Sequence, residues 1–248
     1  MVFSTRQKLV VIFLLVYWPA LFILAHIPIP LLIRRAGVSD KCIHFLAYLI
    51  LVFLLWFATN PDKKVIWRKA AAWWVFAAMI GYGIADELSQ SYVGRTCDVR
   101  DFGADVAGVV AGLVVLSLFT FWPASLLVAA VTIFGLTNVS RANLAELLPI
   151  TNASFHLFSY AIFTMLWLQL VNLRLASKPP QLIWLIIASA LPAGFLLAVR
   201  LFSTILGRDF RFLDVMLSMV GIAAVVATVY LTTLFRQRLA GDSQTTAL

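Results

Sequence analysis

The feature that most constrains this chain is a succession of eight apolar runs. They lie near residues 9–27, 41–58, 70–88, 102–121, 123–138, 153–172, 182–200 and 214–235. A helix needs about 20 apolar residues to cross the hydrocarbon core of a bilayer. Inside the bilayer every backbone polar group must find its partner within the segment, so runs of this kind fold as helices. Composition agrees, with 62% hydrophobic and only 12% charged residues, where a soluble domain carries roughly 25% charged. The expectation is an all-α integral membrane protein of eight transmembrane helices with no separate soluble domain. The fifth run is short, and Trp122-Pro123 leaves space for only a tight hairpin between it and the fourth. Residues 9–27 exceed the length of a signal-peptide h-region and read as a first span.

The net charge of +8 does not point to nucleic acid, because the bases are scattered through short loops rather than gathered on one face. They read instead as topology signals. With the N-terminus inside, the inner loops take Arg6, Lys8, Lys63, Lys64, Arg68, Lys69, Arg174, Lys178, Arg236 and Arg238, against only Asp62 and Asp242. The outer side takes nine bases and nine acids. Clusters of Lys and Arg beside short loops mark the cytoplasmic side. The expected location is the bacterial cytoplasmic membrane, multi-pass, with both termini cytoplasmic.

Polar residues enter these runs at particular places. Lys41, His44 and Tyr48 head the second run at spacings of three and four, so they share one helix face. Glu87 and Gln90 close the third run, and Asp98, Asp101 and Asp105 open the fourth along one face. Asp86 reads as pointing elsewhere on its helix, and Arg95 lies in the loop between. Gly108 and Gly112 continue the aspartate face inward, where small residues let another helix approach closely. All of these fall at the expected outer face.

The chain also repeats. The pair His44 and Tyr48 returns in the second half as His156 and Tyr160. Gly94-Arg95, Asp101 and Gly108 return in the same order as Gly207-Arg208, Asp214 and Gly221, displaced by one position more than the His and Tyr pair. One inserted residue in a loop reconciles the two offsets. The expected domains are residues 1–121, carrying the polar set, and 122–248, a degenerate second copy. An even number of spans per copy gives both the same orientation, hence a pseudo-two-fold along the membrane normal. In the second copy Lys41 becomes Ala153, Glu87 becomes Arg200, Gln90 becomes Ser203 and Asp105 becomes Ser218. The first copy therefore reads as the working one. Arg200 is expected to help hold the two halves together or to supply a cation.

The ordered set Asp40-Lys41-x-x-His44-x-x-x-Tyr48, Asp86-Glu87-x-x-Gln90, Gly94-Arg95 and Asp98-x-x-Asp101-x-x-x-Asp105-x-x-Gly108 resembles the VanZ-like family of bacterial membrane proteins. The resemblance covers about residues 40–115, and the second copy shares it only in degraded form. Family members usually carry Asn where Asp105 stands, so this chain adds a carboxyl there. The family takes its name from a protein associated with resistance to the glycopeptide teicoplanin. The resemblance implies a cell-envelope role and an effect on glycopeptide susceptibility, and it brings no settled reaction.

The residues themselves support several chemistries. Asp40 and Asp98 suit helix N-caps. Lys41 and Arg95 suit snorkelling to headgroups. His44 and Tyr48 suit a hydrogen-bonded pair, and the whole set suits a structural salt-bridge network. The functional alternative is an outward pocket. In it Lys41, Tyr48, Gln90, Arg95, Asp98, Asp101 and Asp105 bind a ligand, and Lys41 and Arg95 hold a phosphate. A polyprenyl-phosphate-linked or cell-wall precursor suits a site at that depth. An enzyme acting on such a lipid-linked phosphate or sugar would use His44 and Glu87 as an acid–base pair. The repeat alone also suggests a transporter. No resident metal or cofactor is expected; the alternative is a divalent cation held by Asp98, Asp101 and Asp105 through oxygens. Cys42 and Cys97 both fall on the expected outer side, where a disulfide is permitted.

Overall fold

The computed structural model describes residues 4–26, 40–92, 98–139, 148–174, 179, 181–208 and 210–245. These form eight α-helices and no strand. They are α1 (Thr5–His26), α2 (Asp40–Thr59), α3 (Ala70–Tyr92), α4 (Val99–Leu118), α5 (Phe121–Phe134), α6 (Pro149–Arg174), α7 (Leu182–Ile205) and α8 (Phe212–Thr245). A π-helical segment, Gly135–Val139, continues α5. Each helix overlays one of the eight apolar runs.

Seven of the helical stretches, among the described residues, are long and apolar enough to cross a membrane. Helix α3 is not among them, because its last turns carry Asp86, Glu87, Ser89, Gln90 and Ser91. The helix surfaces are apolar in the way a lipid-facing surface must be. In α1 only Val10 and Leu14 are buried, while Leu9, Ile12, Phe13, Leu15 and Val16 are exposed. Trp67, Trp73 and Trp74 are also exposed, beside Arg68 and Lys69. Aromatic and basic residues together are the usual dress of a membrane–water interface.

Contacts divide the chain into two compact units, Met1–Asn143 and Leu144–Leu248. Helix α5 packs on α2 and so belongs to the first unit by contact, although the repeat period makes it the opening helix of the second copy. In the first unit α2 is central. It packs against α1, α3, α4 and α5 and contributes Leu46, Ala47, Tyr48, Leu49, Leu51, Val52, Phe53, Trp56 and Phe57 to the core. Its closest partner is α4. A Cβ on Gly108 would collide with the carbonyl oxygen of Phe45, and one on Gly112 with the side chain of Val52. The glycines are required because the two backbones touch there.

The second unit packs α6 against α8 and α7, in the same register. A Cβ on Gly221 would collide with the carbonyl oxygen of Leu157, the counterparts of Gly108 and Phe45. Six of the seven buried positions of α3, Val75, Met79, Gly83, Asp86, Glu87 and Gln90, match Ala188, Pro192, Leu196, Val199, Arg200 and Ser203 of α7 at one constant offset. Likewise His44, Tyr48, Leu51, Val52 and Trp56 of α2 match His156, Tyr160, Phe163, Thr164 and Leu168 of α6, again at one offset and all buried. At these positions the sequence repeat coincides with a repeat of burial.

Candidate functional site

Three helices bring the polar set together. The start of α2, the end of α3 and the start of α4 lie at one end of the first unit, and the polar residues of each face inward there. Asp98 caps α4, its Oδ1 accepting the backbone N–H of Arg100 at 2.9 Å. That hydrogen bond, with Lys41 nearby, holds the Asp98 carboxyl below its ordinary pKa. The capping reading of Asp98 is therefore correct for its side chain. Its backbone does a second job, since its N–H donates to Glu87 Oε2 at 3.1 Å.

Below this rim the groups are buried. His44 Nδ1 pairs with Asp105 Oδ1 at 2.9 Å, with His44 8% and Asp105 1% exposed. Glu87, 3% exposed, joins them: one donor atom from each of His44, Glu87 and Asp105 falls within 4.8 Å of the others. Lys41 stands at the mouth, half exposed, with its Nζ 3.1 Å from Asp101 Oδ1 and 3.6 Å from Asp98 Oδ2. Lys41 thus serves Asp101 and Asp98, while His44 serves Asp105. Tyr48 is fully buried. Its hydroxyl has no hydrogen-bond partner among the described residues and lies 3.5 Å from where a Cβ on Gly83 would sit, one helical turn below Glu87.

Asp86 corrects the sequence reading. It does not point away from the set but is 4% exposed. Its Oδ2 accepts from Gln90 Nε2 at 3.0 Å, and its Oδ1 lies 4.0 Å from His26 Nδ1. His26 also pairs its Nε2 with Ser89 Oγ at 2.6 Å. Successive helical residues are about 100° apart, and α3 packs on α1 as well as on α2 and α4. Asp86 can therefore face the α1 side while Glu87 faces α2 and α4, and both are covered. His26, at the end of α1, is a polar participant that sequence reasoning misses. The only signal for it is a histidine closing an apolar span; for Asp86 the signal is its four-residue spacing from Gln90.

The column Asp98, Asp101 and Asp105 divides its side-chain partners between Lys41 and His44. Asp98 and Asp101 take Lys41, while possible ligand atoms of His44, Glu87 and Asp105 lie within 4.8 Å of one another. Arg95 and Cys97 lie outside the described residues, as does any pairing of Cys97 with Cys42. The Cys42 thiol is 3.8 Å from the carbonyl oxygen of Gly135. Asp40 begins α2, and its side chain lies outside the description.

The matching end of the second unit is charge-balanced. Asp214, the counterpart of Asp101, accepts from Asn152 Nδ2 at 2.8 Å and lies 3.5 Å from both His156 Nε2 and Arg200. Ser218, in the place of Asp105, donates to the carbonyl of Asp214 at 2.8 Å. Arg200 is thus buried against an acid and a histidine of its own unit.

The family model described as VanZ/LLP1 matches residues 6–120, which span helices α1 to α4 and include every described residue of the polar end. No curated protein and no solved structure gives a match to the chain.

Proposed function

We propose, from the premise that this chain belongs to the VanZ-like family of membrane proteins through residues 6–120, that the polar end of its first unit recognises the phosphate of a lipid-linked cell-envelope precursor. One observation marks this end as the functional one. Four carboxyl side chains, Asp86, Glu87, Asp101 and Asp105, and one imidazole, His44, are buried at one end of an otherwise apolar bundle. The corresponding positions of the second unit hold Val199, Arg200, Asp214, Ser218 and His156. Ionisable groups placed in a membrane helix are costly, by about 2.5–3.5 kcal/mol each at the bilayer centre. Packing alone does not require them, since the second unit keeps the same packing with fewer acids.

Lys41 at the mouth supplies a cation of the kind a phosphate needs, and Arg95, three residues before Asp98 in the sequence, would supply a second. The chain sits in the bacterial cytoplasmic membrane with both termini on the cytoplasmic side, so the polar end faces outward, where glycopeptides and their targets meet. Expression of the protein then lowers susceptibility to teicoplanin. The test is titration of the purified full chain, in lipid nanodiscs, with a polyprenyl phosphate and with teicoplanin. Wild type should bind the lipid phosphate, and Lys41→Ala with Arg95→Ala should weaken binding at least tenfold. Equal binding by wild type and the double variant would overturn the reading.

A second reading is an enzyme on the same substrate class, with His44 and Glu87 as acid and base. The closeness of His44, Glu87 and Asp105 favours it. Under this reading Glu87→Gln abolishes turnover while leaving lipid-phosphate binding intact.

A further inference from the structure

We propose that His44, Glu87 and Asp105 hold a divalent cation, coordinated by one ring nitrogen and one oxygen from each carboxylate. The proposal deepens the reading of the polar end as a phosphate site, since a cation there would join buried carboxylates to a phosphate that they would otherwise repel. The three donor atoms already stand within 4.8 Å of one another. Donors on a single Zn2+-like ion, each at about 2.0–2.2 Å from the metal, stand at most about 4.4 Å apart. The gap closes with small side-chain rotations.

A second observation points the same way independently of the clustering. Glu87 Oε1 and Asp105 Oδ2 are buried oxygens with no hydrogen-bond partner among the described residues. The residues that carry them are 3% and 1% exposed. Their other oxygens are used, Oε2 by the Asp98 amide and Oδ1 by His44. A buried carboxylate oxygen left without a donor is expensive, and two side by side are more so. Lys41 does not relieve them, because its ammonium lies against Asp101 and Asp98. A dication matches the charge of two ionised carboxylates, and an imidazole that binds a metal does so through an unprotonated ring nitrogen. The ligand set, one nitrogen and two oxygens, suits Mn2+ or Zn2+ better than a soft ion such as Cu(I).

The test uses the full chain in detergent, stripped with a chelator, then titrated with MnCl2 and with ZnCl2 in the absence of lipid. The expected result is one ion per chain bound with a micromolar or lower Kd, and a rise in melting temperature on binding. Glu87→Gln and Asp105→Asn, which preserve size, should each weaken binding at least tenfold, while Asp214→Asn in the second unit should leave it unchanged. Melting of the metal-free variants establishes that they fold. Should a variant fail to fold, wild type with Mn2+ supplies the readout: the spin-resonance spectrum should show a bound ion with a nitrogen ligand. No binding tighter than millimolar, binding that survives both substitutions, or a bound-ion spectrum without nitrogen would overturn the proposal. The outcome is separable from that of the parent reading. Lipid-phosphate binding that persists unchanged in chelator would sink the cation and keep the phosphate site. Metal binding without lipid-phosphate binding would do the reverse.

Discussion

His44 and His156 occupy the same place in the two units, and their surroundings differ in sign. Around His44 the buried groups are Glu87 and Asp105, with Asp86 buried beside Gln90 and Asp101 at the rim. Around His156 they are Arg200, Asp214 and Ser218. The backbones beneath are alike, down to the glycine that lets the two long helices touch, Gly108 against Phe45 and Gly221 against Leu157. One end has kept an excess of acid that packing does not need. The other has replaced Asp86 by Val199, Glu87 by Arg200 and Asp105 by Ser218, leaving one acid with two cationic or basic neighbours. Selection for stability alone leads to the second arrangement, because a buried ion is tolerable only when paired. The first arrangement is what remains where the charges serve something outside the helices.

The comparison is sharpest where the two units should respond alike. Gly108→Leu and Gly221→Leu each push a side chain into a backbone carbonyl, which cannot move aside as a flexible side chain can. Overpacking of this kind costs about 1–3 kcal/mol and more against backbone. Both variants should give little or no folded protein in a detergent-solubility assay. Normal folding of either would mean that the close contact is not shared.

The units should part on their buried charges. Arg200→Met leaves Asp214 buried with reduced compensation and should destabilise by about 3–5 kcal/mol, the usual result of removing one partner of a buried pair. In chelator-stripped protein Glu87→Gln removes a buried acid that has no cationic side chain assigned to it and should leave thermal stability unchanged or raised, while abolishing the function. The reverse pattern, a fragile Glu87→Gln and a stable Arg200→Met, would exchange the roles assigned to the two ends.

Smaller effects refine the contrast. Tyr48 and Tyr160 are counterparts, both fully buried, and both hydroxyls lack a hydrogen-bond partner among the described residues. Removing either hydroxyl should change stability by no more than about 1 kcal/mol, since no bond is lost. Only Tyr48→Phe should alter ligand binding or activity. The smallest effect belongs to Asp98. Its pKa is lower in the folded protein than in the unfolded chain. Its contribution is therefore fully present above the unfolded carboxylate value, about 3.9, and is lost as pH falls through the folded value. Asp98→Asn should show a slightly lower melting temperature at neutral pH, and the difference from wild type should vanish at the acid end of a pH series.

Much of this is legible in the sequence, and the reasons are physical. Seven helical stretches are readable because a helix that crosses a membrane must be apolar over most of its length, and α3 is readable from its apolar first turns. The repeat is readable because His, Tyr, Gly and Asp stand out against such runs. Membership of His44, Glu87, Gln90, Asp101 and Asp105 in one buried end follows from helical spacing. What spacing does not give is the allocation of partners. A single-face reading misplaces Asp86 because it assumes one neighbouring helix, whereas α3 is covered on two sides and buries adjacent residues. Lys41 could serve any of the aspartates by spacing alone; its length takes it to the rim, to Asp101 and Asp98, and leaves Asp105 to His44. Sequence reasoning expects Arg200 to hold the halves together or supply a cation. Within its own unit it supplies a cation to Asp214, beside His156, and their meeting depends on how α6, α7 and α8 cross.

The most direct test of the central claim, that the polar end of the first unit does the work and its counterpart in the second only packs, is mass spectrometry of total envelope lipids and lipid-linked precursors. Cells making equal amounts of wild type, Glu87→Gln and Asp214→Asn would be compared with cells carrying no copy. The account predicts that wild type and Asp214→Asn shift the same lipid-linked species, and that Glu87→Gln leaves it as in cells without the protein. A Glu87→Gln profile indistinguishable from wild type, or a shift lost in Asp214→Asn alone, would contradict it.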